Sequence, residues 1–285
     1  MPGQIVEQMH RFSQAYGKDL AVGGTRWRYY RVGAGPALLW LTGGLRRVAF
    51  GYGFMERLAE RHTVIAPDYP PARSFGELVA GFEAILRAEG VERYALGGQS
   101  YGGLLAQGFL ALRPAPVERL ILSSSGPADF GMMWLPADYL AVFLARVLPE
   151  RSVKGLLAGG LMKVVSAPQA EREEWLEAVR ETINHDLARE DVVSHFAVAA
   201  DMIRKRIVRP EAFKGWPPLE SSGGWSGRVV VLSAENDPTQ GKGDRARYEA
   251  LFERPIEMVS LGTMGHTAAL FDPERYVALL EQALA

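Results

Sequence analysis

A serine flanked by glycines two residues to either side, Gly98-Gln99-Ser100-Tyr101-Gly102, is where residue type and spacing in this chain first add up to chemistry. Ser100 lies where a short apolar run, Tyr94-Ala95-Leu96, gives way to a helical recurrence of Leu104, Leu105, Ala106, Phe109 and Leu110 that Arg113-Pro114 stops. A strand turning this sharply into a helix holds the serine in a strained conformation, and only very small residues two places before and after it avoid collision. Gly98 and Gly102 fill both places. Such a turn lifts the hydroxyl above a sheet edge and sets the backbone N–H of Tyr101 at a helix N-terminus, where a developing oxyanion is stabilised. The chemistry this serves is nucleophilic attack. The chain has no cysteine, so serine is the nucleophile if there is one, and disulfides and thiolate metal sites are excluded. A glycine-rich turn of this kind can also serve packing alone, so its partners must decide.

A nucleophilic serine needs a base and an acid to orient the base. Gly227 to Ser233 reads as a strand with Glu235-Asn236-Asp237-Pro238 as its edge loop, and Ile256 to Leu261 as a last strand followed by Gly262-Thr263-Met264-Gly265-His266. An acid and a histidine thus fall in loops after two successive strands, on the same edge as Ser100 if the strands are parallel. Asp237 is favoured as the acid over its rivals Glu235 and Asp129, the latter just past a strand ending near Ser123. Of the five histidines, His266 alone has a strand-loop-helix setting; His10, His62, His185 and His195 read as surface residues. A second oxyanion donor is sought in Thr42-Gly43-Gly44-Leu45, which follows the buried-looking strand Ala37 to Leu41. The Gly44 N–H is assigned, with Leu45 as the fallback and an ordinary tight turn as the alternative.

Elements must bring these loops together. Ile5, Met9, Phe12 and Tyr16 recur at three- and four-residue intervals and predict a short amphipathic helix packed on the main body. Thr25 to Val32 reads as a strand, Phe54 to Arg61 as a helix, and His62 to Asp68 as a strand reaching the sheet edge. Asp68 is set aside as a catalytic acid, because that position anchors the turn which Tyr69-Pro70-Pro71 makes rigid. Ser74 to Glu89, with Glu77 three residues after Ser74, is a capped crossover helix, and Val117 to Ser123 is a further strand. This alternation with short connections predicts a parallel sheet covered on both faces. From about Pro127 to Trp225 it breaks, and only helical patterns remain.

The run Pro136 to Leu148 is apolar around most of its circumference, so it is expected to be covered on more than one side or to line an apolar cavity. Trp175, Val179, Ile183 and Leu187 form one amphipathic stripe, and Val192, Phe196, Ala199 and Ile203 another; together these helices read as a lid. Gly155 to Val165 lacks the ending and the preceding strand of a phosphate loop and reads as a flexible lid connection. Arg204, Lys205, Arg206 and Arg209 read as a solvated helix end, and Trp216-Pro217-Pro218 with Ser221 to Gly224 as a linker back to the sheet. Asp244 to Phe252 and Asp272 to Leu284 complete the helices. The expected organisation is a core of residues 1–126 and 226–285 carrying a helical cap at 127–225.

At 285 residues and 48% apolar composition the chain can bury a substantial core, while a net charge of −1 gives no electrostatic case for nucleic acid or an anionic membrane. Its expected partner is a small, nearly neutral molecule. No run approaches the roughly 20 apolar residues that span a bilayer. Met1 to Leu20 has no uninterrupted hydrophobic region of signal-peptide type. The expectation is a cytoplasmic protein without a membrane span.

The elbow at Ser100, the Thr42-Gly43-Gly44 loop, the Asp237 and His266 loops and the order Ser, Asp, His resemble the α/β-hydrolase superfamily over nearly the whole chain. The Tyr69-Pro70 turn and Gly98-Gln99-Ser100-Tyr101-Gly102-Gly103 followed by Ala106-Gln107 look, less specifically, like its maspardin branch. Two departures stand out: Thr42-Gly43 where many relatives have His-Gly, and no Gly-x-Gly-x-Ser turn after Asp68. The resemblance implies an α/β-hydrolase fold, a mostly parallel sheet flanked by helices with a helical lid after its sixth strand. It also implies a serine hydrolase of carboxylesterase type that cleaves an ester or related acyl bond of a small, fairly apolar substrate and needs no cofactor or metal. Ser100 would be the nucleophile, His266 the base, Asp237 its orienting acid, and Tyr101 and Gly44 the oxyanion donors. C–C bond or lactone hydrolysis by the same triad, or a non-catalytic binding role like that of maspardin, are the alternatives.

Overall fold

A computed structural model describes residues 3–208, 225 and 227–285. Eight strands form one sheet in the order β1-β2-β4-β3-β5-β6-β7-β8. They are β1 (Gly17–Val22), β2 (Thr25–Val32), β3 (Ala37–Leu41), β4 (Thr63–Pro67), β5 (Tyr94–Gln99), β6 (Val117–Ser123), β7 (Arg228–Ser233) and β8 (Glu257–Ser260). β1 and β2 are antiparallel to their neighbours, and β3 to β8 run parallel. Parallel strands covered on both faces need apolar residues at nearly every position. Leu38 and Leu39 of β3, Val64 and Ile65 of β4 and Val230 to Leu232 of β7 are accordingly fully buried.

One face of the sheet packs against α1 (Gln4–Tyr16), α2 (Tyr52–Leu58) and α7 (Arg172–Glu181), and against a closing helix, α10 (Pro273–Leu284). The other packs against α3 (Phe75–Ala88), α4 (Tyr101–Leu112) and α9 (Asp244–Phe252). The start of α3 is capped by Ser74, whose Oγ accepts from the Glu77 N–H, while the Glu77 carboxylate accepts from the Arg73 N–H at 2.9 Å. Between β6 and β7 lie α5 (Leu135–Val147), α6 (Glu150–Val164), α7 and α8 (Arg189–Arg204), with no strand among the described residues of that segment. The linker expected at 216–224, and Arg209, lie outside the described residues. Arg204 and Lys205 pair with Asp201 at 3.1 and 2.9 Å. Among the described residues no helix is long and apolar enough to cross a membrane.

One strand has no counterpart among the expectations, and two expectations are corrected. β1 carries no strong alternation because it is an edge strand with no fully buried residue; the Gly23-Gly24 turn, with φ of +57° and +82°, folds it onto β2 as a two-residue hairpin. The stretch 155–165 is not a flexible connection. Its glycines sit inside α6, where tertiary packing outweighs their low helix propensity. Finally, α5 is not covered all round: it fully buries only Ala145, and Leu140, Phe143 and Val147 are each more than half exposed.

Asp68 does anchor a turn, its Oδ1 accepting from the Val48 N–H at 2.7 Å. Burial pushes its pKa up to about 6, against the Val48 N–H and the charges of Arg47 and Arg28. That folded value lies above the ordinary carboxylate value of about 3.9. Stabilisation by the neutral acid is therefore complete below about pH 4 and is lost as pH rises through about 6. Asp68→Asn keeps an acceptor for Val48 and removes the titration. Its thermal unfolding midpoint should change less than the wild type's between about pH 4 and pH 7 and be higher at the upper end; a lower midpoint there with the wild-type slope contradicts this account.

Candidate active site

Ser100 has φ +53° and ψ −119°, a backbone conformation that side-chain-bearing residues rarely adopt and that costs about 1–3 kcal/mol. The surrounding backbone enforces it. A Cβ on Gly98 would lie 2.4 Å from the Gly102 carbonyl oxygen, and one on Gly102 would lie 2.0 Å from the Leu41 oxygen and 2.4 Å from that of Thr42. The Ser100 N–H donates to the Ser123 carbonyl at 3.0 Å, and Ser125 Oγ donates to the Ser100 carbonyl at the same distance. The elbow is thereby fixed from both neighbouring strands, β3 and β6.

Parallel β7 and β8 end together, with Ser233 opposite Ser260, so the loops that follow them emerge on the edge where Ser100 stands. His266 Nε2 lies 3.0 Å from Ser100 Oγ, and its Nδ1 lies 3.1 and 3.0 Å from the two carboxylate oxygens of Asp237. Both side chains are buried. Thr239 completes the group. Its N–H and hydroxyl donate to Asp237 Oδ1 at 2.9 and 2.7 Å, and its Oγ1 stands 2.9 Å from His266 Nδ1. Since the Thr239 proton is spent on Asp237, both oxygens face Nδ1 as acceptors. This network assigns the imidazole proton to Nδ1 and turns the Nε2 lone pair toward the serine hydroxyl. Burial raises the Asp237 pKa, but the hydrogen bond and charge of His266 and the donors of Thr239 bring it net below the ordinary carboxylate value.

The His266 loop is itself braced. Gln99 Nε2 donates to the His266 carbonyl at 3.2 Å, and Ser166, from the segment between β6 and β7, exchanges hydrogen bonds with Thr267 Oγ1 at 2.7 Å each way. Gly265 has φ +70°, and a Cβ there would meet Ser166 Oγ at 2.0 Å. Of the rival acids, Glu235 is exposed and Asp129 is held by Arg247 at 3.0 Å, so neither meets His266.

The Tyr101, Gly44 and Leu45 N–H groups make no hydrogen bond among the described residues. The turn that presents Gly44 is closed by the Arg46 N–H donating to the Gly43 carbonyl at 2.9 Å. Gly43 has no room for a side chain, since a Cβ would lie 2.4 Å from Gln99 Oε1. A narrow cavity of about 100 Å³ runs from Ser100 and Gly44 between Trp40, Phe54, Leu161 and Tyr276. No cluster of three or more metal-ligating side chains occurs among the described residues.

Residue-by-residue reading missed part of this site. Thr239 and Gln99 act through contacts that span 27 and 167 positions of chain. Arg46 is 1% exposed beneath the Gly44 loop, donates to the Pro70 carbonyl and Ser194 Oγ at 2.8 and 3.1 Å, and pairs with Asp191 of α8 at 3.5 Å. His195 is not a surface residue: it is half-buried and stacks on Tyr101 with ring centroids 3.9 Å apart. The only local hint was its place beside Phe196 on the amphipathic stripe of α8.

Comparison with known proteins agrees with this architecture. Residues 33–279 match the model of the alpha/beta hydrolase family, and the chain belongs to that family. It is 33% identical over 156 residues to an uncharacterized protein of Mycobacterium tuberculosis, covering 48% of this chain and 46% of that one; it thus spans about half the length of the curated relatives it matches. Solved structures share the fold at low identity. A hydrolase from Pseudomonas aeruginosa superposes with a TM-score of 0.73 at 18% identity, covering 95% of this chain and 99% of that one. The enol-lactonase from Burkholderia xenovorans gives 0.70 at 16% over 94% and 99%. The meta-cleavage product hydrolase from Pseudomonas fluorescens gives 0.68 at 17% over 94% and 97%.

The elbow predicts an asymmetry between glycines. Gly102→Ala drives a methyl into two backbone carbonyls that cannot move aside, so thermal or denaturant unfolding should show destabilisation at or above the upper end of about 1–3 kcal/mol. Gly155→Ala, in α6 with nothing within 4 Å of its Cβ position, should instead be neutral or stabilise by up to about 1 kcal/mol. Equal effects would refute this reading of the turn.

Proposed function

We propose that this protein is a serine hydrolase that cleaves a carboxylic ester or related acyl bond through an acyl-serine intermediate. The observation that carries the proposal is the relay from Ser100 Oγ through His266 to Asp237, each link about 3 Å, beside N–H groups with no partner. In this mechanism Nε2 of His266 takes the Ser100 proton as Oγ attacks the acyl carbon, and the imidazolium then gives that proton to the leaving group. A water deprotonated by His266 attacks the acyl-enzyme, and the proton returns to Ser100 as the acid departs. Asp237, kept ionised by Thr239 and His266, holds the tautomer and stabilises the imidazolium. The N–H groups of Tyr101 and Gly44 hold the oxyanion, each contributing about 3 kcal/mol in the transition state.

The walls of the cavity beyond Ser100 are largely apolar, which favours a small, moderately hydrophobic acyl or aromatic group. The helices between β6 and β7, within residues 127–225, serve as the cap that closes this site; Leu161 of α6 and Val179 of α7 supply part of its lining. A lactone or a C–C bond next to a carbonyl is the second substrate class. The same relay attacks both, and the fold neighbours include an enol-lactonase and a meta-cleavage product hydrolase.

The wild-type protein should label with a fluorophosphonate and turn over activated short-chain esters, with a chain-length optimum set by the narrow cavity. Ser100→Ala should abolish labelling and lower kcat by several orders of magnitude, about 10⁴-fold or more, without changing the unfolding midpoint. Folded wild-type protein that neither labels nor hydrolyses esters or lactones would instead support a binding role.

A further inference from the structure

We infer that His195, from α8, is a further substrate-contacting residue of this site, donating a hydrogen bond from its neutral imidazole to the substrate carbonyl oxygen held over Gly44. The inference rests on the acyl-serine reading above and extends it to the side of the site formed by the segment between β6 and β7.

Four observations converge on this residue. The first is position: His195 Cε1 lies 3.7 Å from where a Cβ on Gly44 would stand, and Leu161 Cδ2 lies at the same distance, so the two roof the space above that glycine. Because Cε1 is flanked by both ring nitrogens, an N–H is carried to the same edge. The second is orientation. The ring stacks on Tyr101 at 3.9 Å and 27°, and the Tyr101 hydroxyl donates to the His195 carbonyl at 3.2 Å. One side chain therefore packs against both residues whose N–H groups are the proposed oxyanion donors.

The third is the absence of a partner. Neither ring nitrogen of His195 makes a hydrogen bond among the described residues, and neither is fully buried, so its N–H is open to a bound ligand. A phenyl ring would stack on Tyr101 equally well but carry no donor, whereas the imidazole keeps an N–H available to an acceptor on a bound ligand. The fourth is charge and rigidity. Burial and the charge of Arg46 push the His195 pKa down to about 3, so the ring stays neutral and keeps a single N–H at any ordinary pH. Its neighbours on α8 hold it still: Ser194 Oγ accepts from the Ala72 N–H at 2.7 Å, and Asp191 pairs with Arg46. A donor fixed this way needs no reorganisation when charge develops on the oxygen.

The test compares His195→Phe, which keeps the stacked ring and loses the donor, with His195→Gln, which loses the ring and keeps a donor. Steady-state hydrolysis of p-nitrophenyl acetate and butyrate is measured beside thermal unfolding. The donor role predicts that His195→Phe lowers kcat about 100-fold with KM within about threefold of wild type, and that His195→Gln recovers at least about tenfold of that loss. A kcat for His195→Phe within about threefold of wild type, a change confined to KM, or equal losses of kcat in both variants would overturn it. Failure of the acyl-serine reading shows separately, as wild-type protein that does not label with fluorophosphonate or as Ser100→Ala protein that still turns the esters over.

Discussion

The backbone of Ser100 cannot relax, and much of the structure exists to hold it. Its positive φ survives because Gly98, Gly102 and the carbonyls of Leu41 and Thr42 approach so closely that no other arrangement of the β5–α4 turn fits between β3 and β6. That approach has a second consequence. The same contact that strains the serine fixes the end of β3, and with it the Thr42 to Arg46 loop, relative to the start of α4. Ser100, the proposed nucleophile, and the N–H groups of the proposed oxyanion site are therefore positioned by one packing event.

Delivery of the other two groups depends on sheet register. The pairing of Ser233 with Ser260 makes β7 and β8 end level, and each loop then needs only a few residues to reach the same point. Thr239 and Gln99 remove the remaining freedom, one by donating to Asp237 and facing His266, the other by holding the His266 carbonyl. A relay whose carboxylate and imidazole are buried and held in direction loses little entropy on entering a reaction. It is also intolerant of small displacements.

The segment between β6 and β7 is divided in its attachment. α7 and α8 are tied down, by Trp175 and Val179 in the core and by Asp191, Ser194 and Asp201 bonding to Arg46, Ala72 and Phe75. α5 is not; it packs on α8 and turns Tyr139, Phe143 and Val147 outward. Arg46 is central to the anchored half. A guanidinium 1% exposed, with Nε and Nη1 lacking hydrogen-bond partners, is costly to bury, and Asp191 and the Tyr69 ring 5.7 Å away offset part of that cost. The same charge helps keep His195 neutral.

Much of this was legible in the chain itself. The 3.6-residue stripes of α1, α7 and α8, the apolar runs of β3, β4 and β7 and the glycines around Ser100 all record which side of an element faces the interior. That is a local property, and side-chain periodicity encodes it directly. Ser100, Asp237 and His266 could be named as candidates for the same reason, since each stands in a turn after a recognisable strand. The edge strand β1, with no buried face, left no such record, and α6 was hidden by glycines whose propensity its packing overrides. Whether the apolar surface of α5 would be covered, that Thr239 would share a proton network with His266, and that His195 would leave the surface to lie on Tyr101 were decided only by the tertiary structure. Each is a relation between residues distant in sequence, and such relations exist only once the sheet has set the distances between its loops.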